Sequence, residues 1–310
     1  MAGGKQLLRL AGLLVAVLLI VGFFTGAIGA ALLGSKPLLS APHVELAAPV
    51  VFHLGPLGVT NTILSAWITT VVLLLLFVAG TRRSRLVPRG IQNFTEWVLE
   101  SLYNFVEGVA GPRYAPAFFP LIATIFLFVA VNAWLALIPI YQSLGFIKDG
   151  EMKVHLLRSA GTDLNMPLAI ALVSFVFIEG WGFRVHKLRY LGEFIRLGAL
   201  LGALRRFSLG GIFNALIEVF VGILELVSHL VRVVSFTFRL FGNMTAGEIV
   251  LLLSAFLTSF VFTDLFYGLE LLVGFVQALI FSGLTLAFVL VALTPHEEEE
   301  SSRHAMQEEA

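Results

Sequence analysis

The chain has 310 residues, is 58% hydrophobic and only 13% charged, and its 20 basic and 20 acidic residues cancel. A soluble domain of this length needs far more polar surface, so the composition excludes a water-solvated globule and implies lipid as the solvent. Cysteine is absent, which excludes disulfides, thiolate metal sites and a cysteine nucleophile.

Residues 10–34 carry no charge and follow Lys5 and Arg9. The run exceeds the roughly 20 apolar residues that a crossing needs. Two readings stay open for segment 1–34: an extra membrane helix, or a signal peptide with Ala27-Ile-Gly-Ala30 at its cleavage site. The following stretch, to about Gly58, is expected outside the cell. A second span runs from Thr62 to Ala79 and ends at Arg82, Arg83, Arg85 and Arg89, a basic cluster that marks the cytoplasmic side. Residues 91–109 read as an amphipathic helix on the inner membrane surface, with Phe94, Trp97, Val98, Leu102 and Phe105 on one face.

A third span, Phe118 to Ile140, leads to an outside loop of mixed charge between Lys148 and Asp163. A fourth, Pro167 to Phe183, returns to a loop with Arg184, Lys187, Arg189, Arg196, Arg205 and Arg206 against the single acid Glu193, again cytoplasmic by its basic residues. Proline is absent from Leu168 to Thr294, which favours long uninterrupted helices. Residues 207–260 form one helical stretch too long for a perpendicular crossing, and a turn near Asp264 to Gly268 introduces a last span, Leu269 to Leu293. The tail 296–310 is acidic and is expected to be solvated in the cytoplasm. The fold class is therefore an all-α membrane protein. It has five or six membrane helices, a long, steeply tilted helical hairpin at the C-terminal end and one surface amphipathic helix, with residues 35–295 as the membrane domain.

The 207–260 stretch carries what lipid-facing helices avoid: Glu218, Glu225, His229, Arg232, Arg239, Asn243 and Glu248. Each ionisable group at bilayer depth costs roughly 3 kcal/mol by insertion scales, so several together require protein partners or water. Glu225, Ser228, Arg232, Ser235, Arg239 and Asn243 follow steps of three and four and form one stripe. Ile223, Val227, Leu230, Val234 and Phe238 are expected to form the apolar side. A polar stripe of this kind is a conduit or a docking seam. Glu248, nine residues beyond Arg239, points the other way. In the last span Glu270 and Gln277 are seven apart and share a face, with Gly274 between them permitting close approach. Folding that span back on the long helix brings Gln277 toward the depth of Arg239 and Glu270 toward Glu248.

The segment Ser235-Phe-Thr-Phe-Arg239-Leu-Phe-Gly-Asn243-Met-Thr-Ala-Gly-Glu248 resembles the signature of the F-type ATP synthase subunit a family. The resemblance extends through Glu225-Leu-Val-Ser228, Gln277, Thr60-Asn61-Thr62, Gln92-Asn93-Phe94, Phe118-Phe119-Pro120 and Asn132-Ala-Trp134, and covers residues 50 to 295. Three departures stand out: the hydrophobic N-terminus, the bulky Phe236 and Phe238 before the arginine, and glutamate at both 248 and 270, where relatives often have one histidine. The resemblance implies a proton-translocating stator with two offset half-channels serving a ring of subunit c. Arg239 would be the fixed charge between the channels. Glu248, Glu270 and Gln277 would line the outer entry, Glu225 and Ser228 the inner exit, and Asn243 would orient water or the arginine. It also implies a peripheral stalk subunit b as partner, protons ahead of sodium as the ion, no cofactor and no nucleic-acid partner, and a bacterial plasma (inner) membrane.

Two other classes fit less well. A secondary ion-coupled transporter would show internal repeats, and the two halves differ in charge and proline pattern. A haem anchor would need paired histidines at membrane depth, where only His229 stands. Direct ATP chemistry is not expected, because no G-x-x-x-x-G-K-[ST] loop is present.

Overall fold

A computed structural model describes residues 2–39, 41–42, 47–82, 85–139, 141, 144–148, 151–187, 209–258 and 261–293. The basic residues expected at 189–206 and the acidic tail at 296–310 lie outside the described residues, as does the side chain of Glu218. The elements in order are α1 (Ala2–Thr25), α2 (Ala27–Leu33), β1 (Val50–Leu54), β2 (Leu57–Thr60), α3 (Asn61–Thr81), α4 (Ile91–Ala136), β3 (Gly145–Lys148), β4 (Glu151–His155), a 3-10 turn (Ala160–Thr162), α5 (Asn165–His186), α6 (Leu209–Thr258) and α7 (Val261–Val291). Five helices are long and apolar enough to cross a membrane. The pair formed by Arg9–Thr25 and Ala27–Leu33, bent by 66°, makes a sixth. The molecule is an all-α membrane protein carrying two small β-hairpins between its helices.

Several boundaries differ from expectation for identifiable reasons. The surface helix and the third span are joined in α4, broken only where Gly111 takes φ 74 and ψ 164, and Pro112 follows it. A glycine tolerates that conformation and a proline suits the first position of the resumed helix. The turn placed at Asp264 to Gly268 is not a turn. Those residues are helical, and α7 starts at Val261. One glycine costs a helix about 1 kcal/mol, less than an unpaired backbone group costs in lipid. Asp264 falls in the first turn of α7, where the helix dipole favours an acid. Within α4, Leu102 and Val106 are buried beside Gln92 and Thr95, whereas Phe94 and Trp97 are exposed. The single apolar face expected there is thus divided between a protein side and an outward side.

The chain forms two compact units. The first comprises Met1–Phe77, Leu127–Asp163 and Leu240–Leu279, and the second Val78–Phe126, Leu164–Arg239 and Ile280–Ala310. The first unit contains both hairpins. In β1–β2 Leu54 pairs with Leu57 across Gly55-Pro56, and Gly55 takes φ 64, the left-handed conformation that a tight hairpin turn requires. Thr60 then accepts a hydrogen bond from the Ile63 amide and caps α3. The segment after β4 is not a solvated loop. Ser159, Ala160, Gly161 and Thr162 are all buried. Asn132 is their anchor: its amide donates to Thr69 Oγ1 at 2.9 Å, and its carbonyl accepts from Ser159 Oγ at 3.1 Å and from the Ala160 amide at 3.0 Å. Thr62 donates to Asp163 at 2.9 Å and Asn61 to the His155 carbonyl at 3.1 Å, so the start of α3 is tied to the same segment.

The second unit is built on an aromatic core. Phe118 is fully buried, stacked on Tyr114 and edge-on to Phe177 and Trp181, among Val106, Ala115, Ile122, Ile178, Leu286 and Val289. Gly80 lets α3 approach α4 here, because a Cβ at that position would fall on the Thr95 side chain. Arg82, Arg85, Arg89, Arg184 and Lys187 all belong to this unit, while the two segments expected on the opposite side, 47–60 and 144–163, belong to the first. Phe118→Ala is expected to cost about 3–5 kcal/mol, read as a lower unfolding temperature in detergent, with Phe118→Leu losing less.

Candidate functional site

The 50 residues of α6 have a buried spine and two polar flanks. Phe236, Leu240, Met244, Gly247, Leu251 and Ser254 recur at steps of three and four, and all are buried. Arg239 and Asn243 flank that spine on one side and Glu248 on the other, as 100° per residue dictates. The polar stripe is largely outward: Ser228, Ser235 and Asn243 are exposed, and Glu225, Arg232 and Arg239 are partly exposed. The apolar positions are outward too, with Ile223, Val227, Leu230, Val234 and Phe238 each about half exposed. Among the described residues a narrow spine of α6 is buried inside the chain, while both the polar stripe and the apolar positions are turned largely outward.

In the first unit, α6 and α7 run antiparallel and meet through polar contacts. Asn243 Nδ2 donates to Gln277 Oε1 at 2.6 Å. Gln277 is 2% exposed, and its Nε2 has no hydrogen-bond partner among the described residues. Gly274 brings α7 against α4, because a Cβ there would fall on Ala133. Trp134 donates to the Leu271 carbonyl at 3.1 Å beside it. Gly247 faces Glu270 so closely that a Cβ would coincide with the carboxylate, which explains glycine at that position. The expected approach of Glu270 to the neighbourhood of Glu248 is met, since Glu270 packs on the residue next to it.

Glu248 is held by a residue that sequence reasoning passed over. Arg158 presents Nε to both carboxylate oxygens at 3.0 and 2.9 Å, and its second guanidinium nitrogen lies 2.9 Å from Oε2. This fork-like pairing is the strong form of an arginine–carboxylate contact. The Arg158 amide donates to Ser65 Oγ, so the segment after β4 delivers the guanidinium from a fixed backbone. Met244 packs where a Cβ on Gly161 would stand, which brings that segment against α6.

In the second unit, Phe236 is 4% exposed and packs on Phe281 and Phe288 at ring separations of 4.9 and 5.8 Å. Arg232 lies 4.0 Å above the Phe288 ring, and the Arg239 guanidinium carbon is 5.9 Å from the Phe236 ring. Aromatic faces attract cations, so the bulky Phe236 both fills the α6–α7 seam and underlies Arg239. Phe238 points outward. His229 contacts Glu179 of α5, an acid that sequence reasoning also passed over. Among the described residues no group of three or more His, Asp or Glu is arranged to hold a metal ion.

The family model described as ATP synthase A chain matches residues 63–290. The chain is 32% identical to ATP synthase subunit a of Gloeobacter violaceus over 269 residues, which is 86% of this chain and 97% of the relative. It is 32% identical to ATP synthase subunit a of Desulfosudis oleivorans over 232 residues (74% and 87%) and 31% identical to that of Mycobacterium bovis over 244 residues (77% and 89%). With the match running from the head of α3 to the end of α7 and nearly the whole of a relative covered, the chain is a member of the ATP synthase A chain family.

Proposed function

We propose that the chain is the stator subunit a of an F-type ATP synthase in a bacterial plasma membrane. In this role it offers two offset half-channels to a ring of subunit c and is braced by peripheral stalk subunit b. The observation that carries the reading is the largely outward polar flank of α6 that bears Arg239, in a member of this family. A helix with so much outward surface and a partly exposed guanidinium suits a sliding partner that supplies carboxylates one at a time. Guanidinium stays protonated under physiological conditions. A rotor carboxylate passing it is favoured in its ionised form, so protons cannot follow the static path past Arg239. Transfer from one half-channel to the other then requires the ring to turn. Lysine would serve less well, since burial can deprotonate it.

The outer entry is assigned to Glu248, Glu270 and Gln277, with Asn243 orienting Gln277 beside the rotor face. Arg158 joins this set as a positioning residue for Glu248. The Nε2 of Gln277, without a partner among the described residues, supports the assignment, because a buried donor left so costs about 1–3 kcal/mol unless water or another group reaches it. Glu225 and Ser228 are assigned to the inner exit, about three to four turns before Arg239 on α6. Protons are the proposed ion, since carboxylates dominate the polar path.

In membranes carrying the assembled complex, Arg239→Ala is expected to abolish both ATP-driven proton pumping and proton-driven ATP synthesis; pumping at the wild-type rate defeats the assignment. Glu248→Gln and Glu270→Gln are expected to be milder and to change the dependence of synthesis on outer pH. An unchanged profile in both variants and in their combination removes the outer-entry assignment. Gly247→Ala is expected to slow synthesis because its methyl group displaces the Glu270 carboxylate. Gly268→Ala on α7, where nothing lies within 4 Å of the added carbon, serves as the control and keeps the wild-type rate.

A further inference from the structure

The second unit presents two cations that the site described above does not use. Arg113 and Arg184 are both exposed, and each guanidinium lies over an aromatic ring. Arg113 is 5.4 Å from the centre of the Tyr114 ring, and Arg184 is 5.1 Å from that of Trp181. The two rings meet edge to face at 6.5 Å. Both also touch the fully buried Phe118, Tyr114 stacked on it at 5.6 Å and Trp181 edge-on at 5.1 Å. A cluster of four side chains thus joins α4 to α5, and the core holds its rings.

The backbone puts this cluster at the ends of apolar helices. Arg184 stands in the last turn of α5, where the helix dipole favours a cation. Arg113 follows the break at Gly111 and Pro112, where the surface helix turns into the apolar run that begins at Phe118. Tryptophan and tyrosine favour such depths, with one part of the ring in hydrocarbon and the other among headgroups. Arg184 and Lys187 mark this end of α5 as the one expected at the inner leaflet, where anionic lipids are found. The outward face of α5 that leads away from Arg184 is apolar, with Val173, Val176 and Phe183 exposed. Gly180 lies among them, and a Cβ there would meet nothing within 4 Å, so the face carries a notch.

In the first unit a guanidinium is answered by a carboxylate, as Glu248 answers Arg158. Arg113 and Arg184 form no ion pair with a described residue. A ring attracts a guanidinium but is a poor acceptor for its five N–H donors, which phosphate oxygens take in pairs.

We infer that Arg113 and Arg184 form a binding site for the headgroup phosphate of an anionic phospholipid, with an acyl chain along the Val173, Val176 and Phe183 face of α5. Free phosphate would meet the cations but gain nothing from the apolar face. A zwitterionic phospholipid would bring its own ammonium group against the arginines. Such a site depends on the fold and a bilayer, and not on the role proposed for Arg239.

The test uses the whole assembled complex, purified in detergent, and two photoreactive probes with identical diazirine-bearing acyl chains, a phosphatidylglycerol and a phosphatidylcholine. Labelled positions are mapped by mass spectrometry of peptides. Phosphatidylglycerol is expected to label α5 between Leu172 and Phe183 about 25-fold more heavily than phosphatidylcholine, the effect of two basic residues near a membrane surface. Arg113→Gln and Arg184→Gln are each expected to lower that labelling about fivefold, and the double variant to bring it to the phosphatidylcholine level. A large excess of inorganic phosphate is expected to leave it unchanged. Equal labelling by the two probes in the wild-type complex overturns the proposal without any variant, so a double variant that fails to assemble does not shelter it. Labelling that neither single variant lowers overturns it too, as does displacement of the lipid by inorganic phosphate.

Discussion

Lipid answers no hydrogen bond and solvates no charge, so every polar side chain on a membrane helix has to be met by protein or turned toward a partner or water. The polar residues of α6 obey that constraint in three ways. Glu248 is met by the guanidinium of Arg158 and His229 by the carboxylate of Glu179. Arg232 rests on the ring of Phe288. Ser228, Ser235 and Asn243 remain on the surface, and Arg239 is partly exposed beside them. His229 lies in phase with the spine and Glu248 on one flank, while Arg232 and Asn243 share the other flank with the residues left outward.

Close approach of backbones makes the internal pairing possible. Gly247 admits Glu270 to the surface of α6, Gly274 seats α7 on Ala133, and Gly161 lies under Met244. Small residues at membrane helix contacts allow short interaxial distances, and there packing replaces the hydrophobic driving force that lipid removes. The second unit uses the opposite means. Phe118 and Phe236 fill wide seams with rings, and Phe236 brings its electron-rich face under a cation as well. The phenylalanine that departs from the family pattern at 236 is therefore a structural element of the α6–α7 seam. The one at 238 is an outward residue.

Much of this was legible in the sequence. Apolar runs long enough to span and the spacing of polar residues on 207–260 locate the spans and the opposed directions of Arg239 and Glu248, because periodicity and hydropathy are local properties. Residues paired across long sequence distances were not legible. Arg158 sits among Lys148, Asp149, Glu151, Lys153 and Asp163, the composition of a solvated loop, and its partner is 90 residues away. The run of small residues from Ser159 to Thr162 was the available sign that this loop is buried. Glu179 carried a plainer sign, being the one acid in an otherwise apolar span, but nothing in its surroundings names a histidine 50 residues on. The hairpins escaped for another reason. Gly55-Pro56 and Asp149-Gly150 are turn signals, yet the strands beside them are so short that hydropathy windows average them away.

Glu248 and Glu270 are distinguished by their surroundings. Glu248 lies in a fork-like ion pair whose cation is delivered by a buried, hydrogen-bonded segment, so its position is set from outside the α6–α7 pair. Glu270 has no such fork; its carboxylate is packed against the bare backbone of Gly247, so its position is set from within that pair. A change in how α6 and α7 pack would move Glu270 relative to α6 and leave Glu248 tied to Arg158. A shift of the 155–163 segment would do the reverse. Two acids controlled by different parts of the fold are not duplicates of one another, and a chain that uses both in one path can adjust them independently.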